Sequence, residues 1–326
     1  MVPQTAFLFP GQGSQKIGMG RAWAEAFPEA RAAFAEASEA LGLDVAKLCW
    51  EGPEAELQLT ANTQPAILTA SVAIARVLAA RGLAPATLAA VAGHSLGEYS
   101  ALVVARVLSL ADAARLVRRR GELMQQAVPV GVGAMAAILG LDSAAVRALA
   151  AESGTDAEIC SVANYNSPEQ TVIAGHKAAV ERAMALARER GAKRALPLPV
   201  SAPFHCALMR PARAGLTPLL AATRFSDASL PVVVNIDARP ASAGDALRDA
   251  LERQMDGPVR WVESVRFMHE AMGVRRFVEV GPGSVLAGLV KRIVPGVETL
   301  SISEPAALEA LAAAIASGSG AVVPEI

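Results

Sequence analysis

The stretch LAAVAGHSLGEYSALVVA, residues 88–105, joins two apolar runs through a serine that is flanked by glycines. Leu88–Ala92 is predicted to form a buried strand, and residues 96–105 are predicted to form a helix. The pentapeptide GHSLG therefore lies on a strand-turn-helix connection, which forces its serine into a sharp, exposed turn. Gly93 and Gly97 leave room for that tight backbone, where larger side chains would collide. This connection predicts an α/β fold.

Ser95, at the centre of the turn, is the predicted nucleophile. Leu96 lies at the helix N-terminus, so its main-chain N–H and the helix dipole point toward negative charge that develops on an attacked carbonyl. A bare G-x-S-x-G is a weak signal in a chain with 26 glycines. The alternative is a glycine-rich turn with an incidental serine. The strand-turn-helix context favours the nucleophile, and with it an enzyme that moves acyl groups through a serine ester.

Short apolar runs alternate with longer amphipathic stretches along the 326 residues, which indicates an α/β protein. One region has its own order. After the break PVGVG at 129–133, the predicted elements are strand, helix, strand, strand, helix and strand, which is typical of a ferredoxin-like unit. We predict a small ferredoxin-like domain at 129–198, inserted into a large domain formed by 1–128 and 199–326. The alternative is that these elements continue the main sheet.

Individual elements are predicted from apolar periodicity. The strands are Thr5–Phe9, Leu88–Ala92, Ala134–Leu139, Glu158–Ala163, Gln170–Ala174, Arg194–Val200, Pro231–Ile236, Arg275–Val280 and Glu298–Ile302. The helices include Met19–Leu41, Gln64–Arg81, Leu96–Ala105, Leu110–Ala127, Ser143–Glu152, His176–Arg190, Ala207–Ala222, Arg260–Met272, Ser284–Ile293 and Pro305–Ala316.

Composition excludes several classes of protein. The net charge of −1 argues against a general nucleic-acid-binding protein, because neutralising phosphates needs a basic surface. The cysteines, Cys49, Cys160 and Cys206, are too few and too widely spaced for a disulfide framework or a metal-ligand pattern. No apolar run approaches the roughly 18 residues that cross a bilayer, and the N-terminus lacks a signal-peptide layout. We expect a cytoplasmic protein that binds neither membrane nor metal.

Elimination among the four histidines selects a candidate base. His94 shares the turn with Ser95, so its ring should point away from the serine hydroxyl. His176 begins a helix in the predicted small domain, and His269 lies within a helix that has no turn nearby. His205 lies where the chain returns from the small domain to the large one, and such loops often carry catalytic groups. His205 is therefore the candidate general base for Ser95.

The third member of a catalytic triad is left unassigned, because the sequence offers no acidic residue as a candidate for that role. A main-chain carbonyl can also hold an imidazole tautomer. Cys206 is a rival nucleophile beside His205. Adjacent residues rarely aim at one point, however, and no sequence neighbour of Cys206 would lower the pKa of its thiol.

Arg120 lies on the apolar side of its predicted helix. RRR at 118–120 would ordinarily mark a solvated basic face, but periodicity separates the three arginines. The apolar stripe that contains Arg120 consists of Ala113, Leu116, Val117, Met124 and Ala127. A buried guanidinium costs on the order of several kcal/mol unless an anion or strong acceptors meet it. A substrate carboxylate, bound bidentately, and an internal Asp or Glu are both open as that partner.

Taken together, these residues resemble the malonyl-CoA:acyl carrier protein transacylase family over almost the whole chain, from Phe7 to Ile302. Several motifs in matching order carry the resemblance. They are FPGQGSQ at 9–15, GHSLGEYSAL at 93–102, RRGELMQQAVP at 119–129, NYNSPEQTVIAG at 164–175, PFHCALM at 203–209 and EVGPGSVLAGLVKRI at 279–293.

The resemblance implies a large α/β-hydrolase-like domain with an inserted small ferredoxin-like domain. It implies that Ser95 is the nucleophile and His205 the general base. The main-chain N–H groups of Leu96 and Gln12 would form the oxyanion hole, and Arg120 would bind the free malonyl carboxylate.

The same resemblance implies further roles. A main-chain carbonyl in the Pro258–Arg260 region would orient the histidine, although relatives often carry glutamine in place of Arg260, which puts a side-chain role there in doubt. Asn166 would be a supporting polar contact. Leucine after the serine and Phe204 before the histidine are similar to the residues that select malonyl over branched acyl groups.

The implied reaction moves malonyl from malonyl-CoA to the phosphopantetheine thiol of acyl carrier protein, supplying fatty acid biosynthesis without a cofactor. Arg194, Lys291 and Arg292 would dock the acidic carrier, or they are ordinary surface charges. We expect a monomer. The rivals are an acyl hydrolase, a loader for a polyketide synthase or malonate decarboxylase, and a silent carrier-binding scaffold.

Overall fold

A computed structural model of the chain describes residues 4–83, 88–200 and 202–318. The strands in these ranges are β1 (Gln4–Phe9), β2 (Ala90–Gly93), β3 (Gly133–Leu139), β4 (Cys160–Ser167), β5 (Gln170–His176), β6 (Arg194–Pro197), β7 (Val232–Val234), β8 (Arg239–Ala241), β9 (Val274–Val280) and β10 (Glu298–Ile302). The helices are α1 (Arg21–Ala26), α2 (Pro28–Leu41), α3 (Val45–Glu51), α4 (Glu54–Gln58), α5 (Thr60–Ala80), α6 (Gly97–Val104), α7 (Leu110–Gln126), α8 (Ser143–Glu152), α9 (Lys177–Glu189), α10 (Arg210–Ala222), α11 (Gly244–Gln254), α12 (Trp261–Glu270), α13 (Val285–Ile293) and α14 (Ala307–Gly318).

The larger sheet has the strand order β10-β9-β1-β2-β7-β8, and its neighbours are parallel except for β7 and β8. Helices cover both faces, so the inner strands are buried on both sides and read as continuous apolar runs. In β1, Phe7 and Phe9 pack into the core that contains α5 and α7, while Ala6 and Leu8 pack into the core that contains α12 and α13. The turn of Ser95 follows β2 at the carboxyl edge of this sheet.

The second sheet has the order β4-β5-β3-β6 and is antiparallel. Helices α8 and α9 share an apolar core with it. The elements alternate as β-α-β-β-α-β, the ferredoxin-like order that the sequence predicts. The fold class is confirmed, and these elements do not continue the main sheet. They lie between Gly133 and Pro197, inside the predicted range 129–198. The exact domain limits stay a prediction, and the ends of the predicted large domain lie outside the described residues.

A main-chain connection joins the small sheet to a loop of the large domain. Asn164 of β4 pairs with Val259 in an isolated parallel bridge. The Val259 N–H donates to the Ala163 carbonyl at 2.9 Å, and the Tyr165 N–H donates to the Val259 carbonyl at 2.9 Å. This connection lies immediately before α12 and ties the small sheet to the large domain.

The single helix predicted for Met19–Leu41 is wrong. The structure has α1 and α2 instead, separated at Phe27, whose backbone is extended at φ −133°. Pro28 is the cause, because proline disfavours a helical conformation in the preceding residue and cannot donate an N–H. Proline is well tolerated at the first position of the new helix. Helices α3, α4 and α11 and the short strand β8 occupy segments for which periodicity predicted no element.

Helix α5 is the one helix in the described ranges that is long and apolar enough to cross a membrane by length and composition. The sequence analysis predicts this helix as Gln64–Arg81 but finds no apolar run of membrane-spanning length there, because polar residues interrupt the run. In the structure, 83% of its most apolar window is buried inside the protein. Its packing is that of a central core helix.

Candidate active site

The turn that carries Ser95 has a strained backbone. Ser95 has φ 51°, in the left-handed region that non-glycine residues rarely adopt. Two close approaches require the flanking glycines. A Cβ at Gly93 would lie 1.9 Å from the main-chain carbon of Gly97, and a Cβ at Gly97 would lie 2.0 Å from the carbonyl oxygen of Phe9. The sequence thus forms a tight strand-to-helix turn that raises the serine above the sheet edge.

Asn235 holds the turn from the end of the neighbouring strand β7. The Ser95 N–H donates to Asn235 Oδ1 at 2.7 Å, and Asn235 Nδ2 donates to the Gly93 carbonyl at 2.6 Å. Asn235 is fully buried. Its side chain therefore fixes the main chain that leads into the left-handed residue. Because the Ser95 N–H is occupied in this way, it cannot also stabilise an oxyanion.

His205 contacts the serine directly. Its Nε2 lies 2.7 Å from Ser95 Oγ, and its Nδ1 faces the carbonyl oxygens of Gln254 at 3.0 Å and Gly257 at 3.2 Å. Since carbonyls only accept, Nδ1 carries the proton and Nε2 is left as the acceptor for the serine hydroxyl. The carbonyls precede the Pro258–Arg260 region expected from the family resemblance, so that expectation is wrong by a few residues.

The histidine is strongly biased toward its neutral form. Burial, together with the nearby charge of Arg120, lowers the pKa of His205 to about 3, against the opposing effect of the carbonyl hydrogen bonds. Its side chain is almost fully buried, and its backbone has φ 59°. A neutral imidazole at neutral pH can accept a proton from the serine.

Arg120 is 1% exposed and reaches the same serine. Its Nη2 lies 3.1 Å from Ser95 Oγ and 2.9 Å from Gln254 Oε1, and its Nη1 lies 2.8 Å from Gln64 Oε1. Within the described residues it forms no salt bridge, so the internal Asp or Glu left open by the sequence is not its direct partner. Neutral amides position the guanidinium without neutralising it, which leaves a buried positive charge beside the nucleophile.

A cavity of about 650 Å³ opens over these residues. The large domain contributes Ser95 on the turn after β2 and Arg120 on α7, and strands β3 and β4 of the small sheet contribute Met135 and Asn166. The remaining lining includes Gln12, Leu96, Phe204 and His205. The predicted site residues of the two domains therefore meet around one space.

Two main-chain donors in the cavity wall lack an acceptor within the described part of the chain. Among the described residues, neither the Gln12 N–H nor the Leu96 N–H donates a hydrogen bond. The side chain of Gln12 donates instead to Thr60 Oγ1 at 3.2 Å. Asn166 Oδ1 lies 2.9 Å from His94 Nε2, so the ring of His94 is engaged away from Ser95, as its position on the turn predicts.

Other candidate residues lie away from this cavity. Cys206 is buried, its thiol donates to the Pro203 carbonyl at 3.1 Å, and burial raises the pKa of the thiol to about 11, so it is a poor nucleophile. Arg260 pairs with Glu263. Arg194 and Arg292 are exposed and line one small cavity of about 160 Å³, with Lys291 exposed beside them on α13.

Four polar residues of the site were missed from the sequence: Gln64, Glu98, Asn235 and Gln254. Single amides and carboxylates in mixed segments give no periodic signal. Asn235 offered one clue, because it follows a buried strand whose end lies beside the end of β2, where parallel strands converge on a site.

No three His, Cys, Asp or Glu side chains in residues 4–83, 88–200 and 202–318 approach closely enough to share a metal ion. The expectation that the protein works without a metal or cofactor stays a prediction.

An α/β fold that sets a strained serine against a neutral histidine, beside an arginine that forms no direct salt bridge among the described residues, defines an enzyme of the acyltransferase class. Residues 6–311 match the acyl transferase domain, and the chain belongs to that family. A curated relative from Escherichia coli (strain K12), named malonyl CoA-acyl carrier protein transacylase, is 54% identical over 308 residues, covering 94% of this chain and 98% of the relative.

Solved structures agree with this assignment. A crystal structure of an acyl carrier protein S-malonyltransferase from Vibrio cholerae has a TM-score of 0.92 and 50% identity, covering 94% of this chain and 99% of that one. A type II PKS acyl-carrier protein in complex with its malonyl-transacylase gives a TM-score of 0.90 and 49% identity, covering 94% of this chain and 98% of that one.

Proposed function

We propose that this protein transfers the malonyl group of malonyl-CoA to the phosphopantetheine thiol of an acyl carrier protein, through an ester on Ser95, and so supplies fatty acid biosynthesis. The observation that carries the proposal is the position of Arg120. A guanidinium 3.1 Å from the nucleophilic oxygen, held by neutral amides, fits an acyl group that ends in a carboxylate.

In the first half-reaction, His205 Nε2 takes the proton of the Ser95 hydroxyl as Oγ attacks the thioester carbonyl. The main-chain N–H groups of Gln12 and Leu96 stabilise the oxyanion of the tetrahedral intermediate. The carbon–sulfur bond then breaks, and the imidazolium returns its proton to the departing coenzyme A thiolate. The Gln254 and Gly257 carbonyls keep the imidazole oriented throughout.

In the second half-reaction, His205 takes the proton of the carrier's phosphopantetheine thiol, which attacks the malonyl ester. The intermediate collapses, the Ser95 oxygen leaves, and the proton passes back to it from the histidine. The cycle is ping-pong and consumes no cofactor or metal, since proton transfer and main-chain donors supply the catalysis.

Specificity comes from the cavity walls. Acetyl lacks the carboxylate and would leave Arg120 buried without its anion, so acetyl should be rejected strongly. Phe204 occupies space that a branched α-methyl group needs, and an apolar wall discriminates only modestly. Leu96 adds to this wall, and Asn166 is a supporting polar contact.

The partner is proposed to be an acidic carrier protein that docks through Arg194, Lys291 and Arg292. None of these three forms a salt bridge within the described part of the chain, and Arg194 and Arg292 face one small cavity. We place the enzyme in the cytoplasm as a monomer that binds neither membrane nor nucleic acid.

A second candidate is the same chemistry in another pathway, in which the enzyme loads the carrier of a polyketide synthase. The 49% identity to a transacylase that was solved with a type II PKS carrier favours keeping it. Kinetics with carriers from fatty acid and polyketide systems separate the two, because the physiological carrier should have the higher kcat/KM.

Intact-mass analysis after mixing with malonyl-CoA tests the proposal. We expect a malonyl adduct that is absent in Ser95→Ala and that is discharged by added holo carrier protein. Parallel runs with acetyl- and methylmalonyl-CoA measure selectivity. Rapid hydrolysis without transfer to the carrier would point to an acyl hydrolase, and no adduct at all to a silent scaffold.

A further inference from the structure

Glu98 is a fully buried carboxylate directly beneath the nucleophilic turn, and the reaction proposed above does not use it. It lies in the first turn of α6. Within the described ranges it forms no salt bridge, and burial raises its pKa to about 7. A buried carboxylate without a direct cation is costly, and such groups cluster at functional sites. Its contacts indicate what it does there.

One oxygen of Glu98 holds two neighbours of the nucleophile. Its Oε2 accepts from the main-chain N–H of Asn235 at 2.7 Å and from Gln254 Nε2 at 3.1 Å. Its Oε1 has no hydrogen-bond partner among the residues that the structure describes. If Glu98 takes up a proton, Oε1 is therefore the oxygen free to carry it, and Oε2 remains an acceptor for both donors in either protonation state.

Gln254 joins the serine, the arginine and the histidine. Its Nε2 donates to the Ser95 carbonyl at 3.1 Å, and its Oε1 accepts from Arg120 at 2.9 Å. Its main-chain carbonyl accepts from His205. An amide can place its nitrogen on either side, and the reversed orientation would turn NH₂ groups toward Arg120. The acceptor oxygen of Glu98 favours the orientation that presents Oε1 to the arginine.

Asn235 is held by the same oxygen. Its side chain bonds the main chain of Gly93 and Ser95, which is the segment that enters the strained turn. Glu98 therefore binds both residues that set the geometry of the site: Gln254, whose amide holds the arginine, and Asn235, whose amide holds the nucleophilic turn.

We propose that Glu98 is a positioning residue for acyl transfer, which fixes Gln254 and Asn235 and through them the malonyl-binding arginine and the nucleophilic turn. The inference rests on the proposed function, since it assigns Glu98 a part in malonyl selection. It makes a specific prediction: loss of the acceptor oxygen should lower both the acylation rate and the preference for malonyl over acetyl.

The test compares Glu98→Ala with Glu98→Gln by rapid-quench intact-mass measurement of acylation from malonyl- and acetyl-CoA. In Glu98→Ala we expect malonyl acylation to fall about 100-fold, as for misplacement of a catalytic group by about 1 Å, and acetyl acylation to fall less. Glu98→Gln keeps an oxygen acceptor and should restore most of the rate and the malonyl preference.

Glu279→Ala is the matched control. Glu279 is equally buried, its Oε2 accepts from the Ala287 N–H at 2.8 Å, and its Oε1 is also unpaired, but no hydrogen bond in the described ranges joins it to the site. It should lose thermal stability while keeping the wild-type acylation rate per folded molecule. If Glu98→Ala behaves in the same way, Glu98 is only structural.

If Glu98→Ala does not fold, the variant Gln254→Met tests the same positioning role. It retains the main-chain carbonyl for His205 and a similar volume, and it removes the amide that Glu98 orients. A malonyl preference equal to wild type in this variant overturns the proposal. If the wild-type enzyme itself forms no malonyl adduct, the proposed function fails, and that result is distinct from an unaltered Glu98 variant.

Discussion

Acylation of Ser95 should be insensitive to acid far below the ordinary range of histidine. With burial and Arg120 lowering its pKa to about 3, His205 stays neutral across pH 5–8. An ordinary histidine with a pKa near 6.5 would be only about 3% neutral at pH 5, and the acylation rate would fall about 30-fold from its plateau. With a pKa near 3, the neutral fraction at pH 5 is about 99%, and the rate should stay within about twofold of the plateau.

The assay is single-turnover acylation by saturating malonyl-CoA, quenched rapidly and quantified by intact mass between pH 4.5 and 8. Protonation of His205 also affects the stability of the fold, and the direction of this effect follows from its lowered pKa. Because the unfolded state takes up the histidine proton below about pH 6.5 and the native state does so only near 3, stability falls as the pH falls through that interval. Circular dichroism at each pH therefore confirms that the enzyme is folded.

A rate that drops about 30-fold at pH 5 in folded enzyme would refute the reasoning. The variant Arg120→Met sharpens the test, since the charge of Arg120 is the second cause of the lowered pKa. In that variant the acid limb of acylation, followed with acetyl-CoA, should move to higher pH. An unmoved limb would assign the whole effect to burial.

Four further predictions concern the cavity, the nucleophilic turn and the proposed docking residues. Arg120→Ala should cost malonyl transfer about 100-fold and acetyl transfer much less, as measured by kcat/KM for each thioester, because only malonyl presents a carboxylate; equal losses would exclude the carboxylate contact. Charge reversal of Lys291 and Arg292 should raise the KM for carrier protein while sparing acylation by malonyl-CoA, and unchanged carrier kinetics would sink the docking role. Gly97→Ala should abolish adduct formation, because its Cβ would meet a main-chain oxygen at 2.0 Å; full activity would contradict the tight turn. Phe204→Ala should raise kcat/KM for methylmalonyl-CoA about tenfold relative to malonyl-CoA, and an unchanged ratio would remove this side chain from selection.

The sequence predicted the features that depend on local pattern. The nucleophilic turn, the ferredoxin-like order of the small sheet and the buried side of Arg120 each follow from periodicity and turn chemistry within one short segment. His205 followed from elimination among few histidines. In the structure its Nε2 lies 2.7 Å from Ser95 Oγ.

What the sequence could not supply depends on contacts between distant segments. Gln254 is the clearest example, because its amide and carbonyl serve residues that lie 134, 159 and 49 positions away. Periodicity predicted no element for the segment that forms α11, and an isolated glutamine in such a segment looks like a surface residue. Pro28 indicates a break between α1 and α2 from local chemistry alone, but the apolar periodicity continues on both sides and led to the prediction of a single helix.

The parallel bridge between β4 and Val259 connects the two domains through main-chain hydrogen bonds close to His205. Gly257, whose carbonyl accepts from His205, lies two residues before the bridge. A domain motion that separated the small sheet from the large domain would move the Gly257 carbonyl, and His205 would then lose the hydrogen bond that orients it toward Ser95. We therefore expect malonyl-CoA and the phosphopantetheine thiol of the carrier to enter a cavity that stays open, without opening and closing of the domains at each turnover. Locking the domains together with a crosslink should accordingly leave turnover intact.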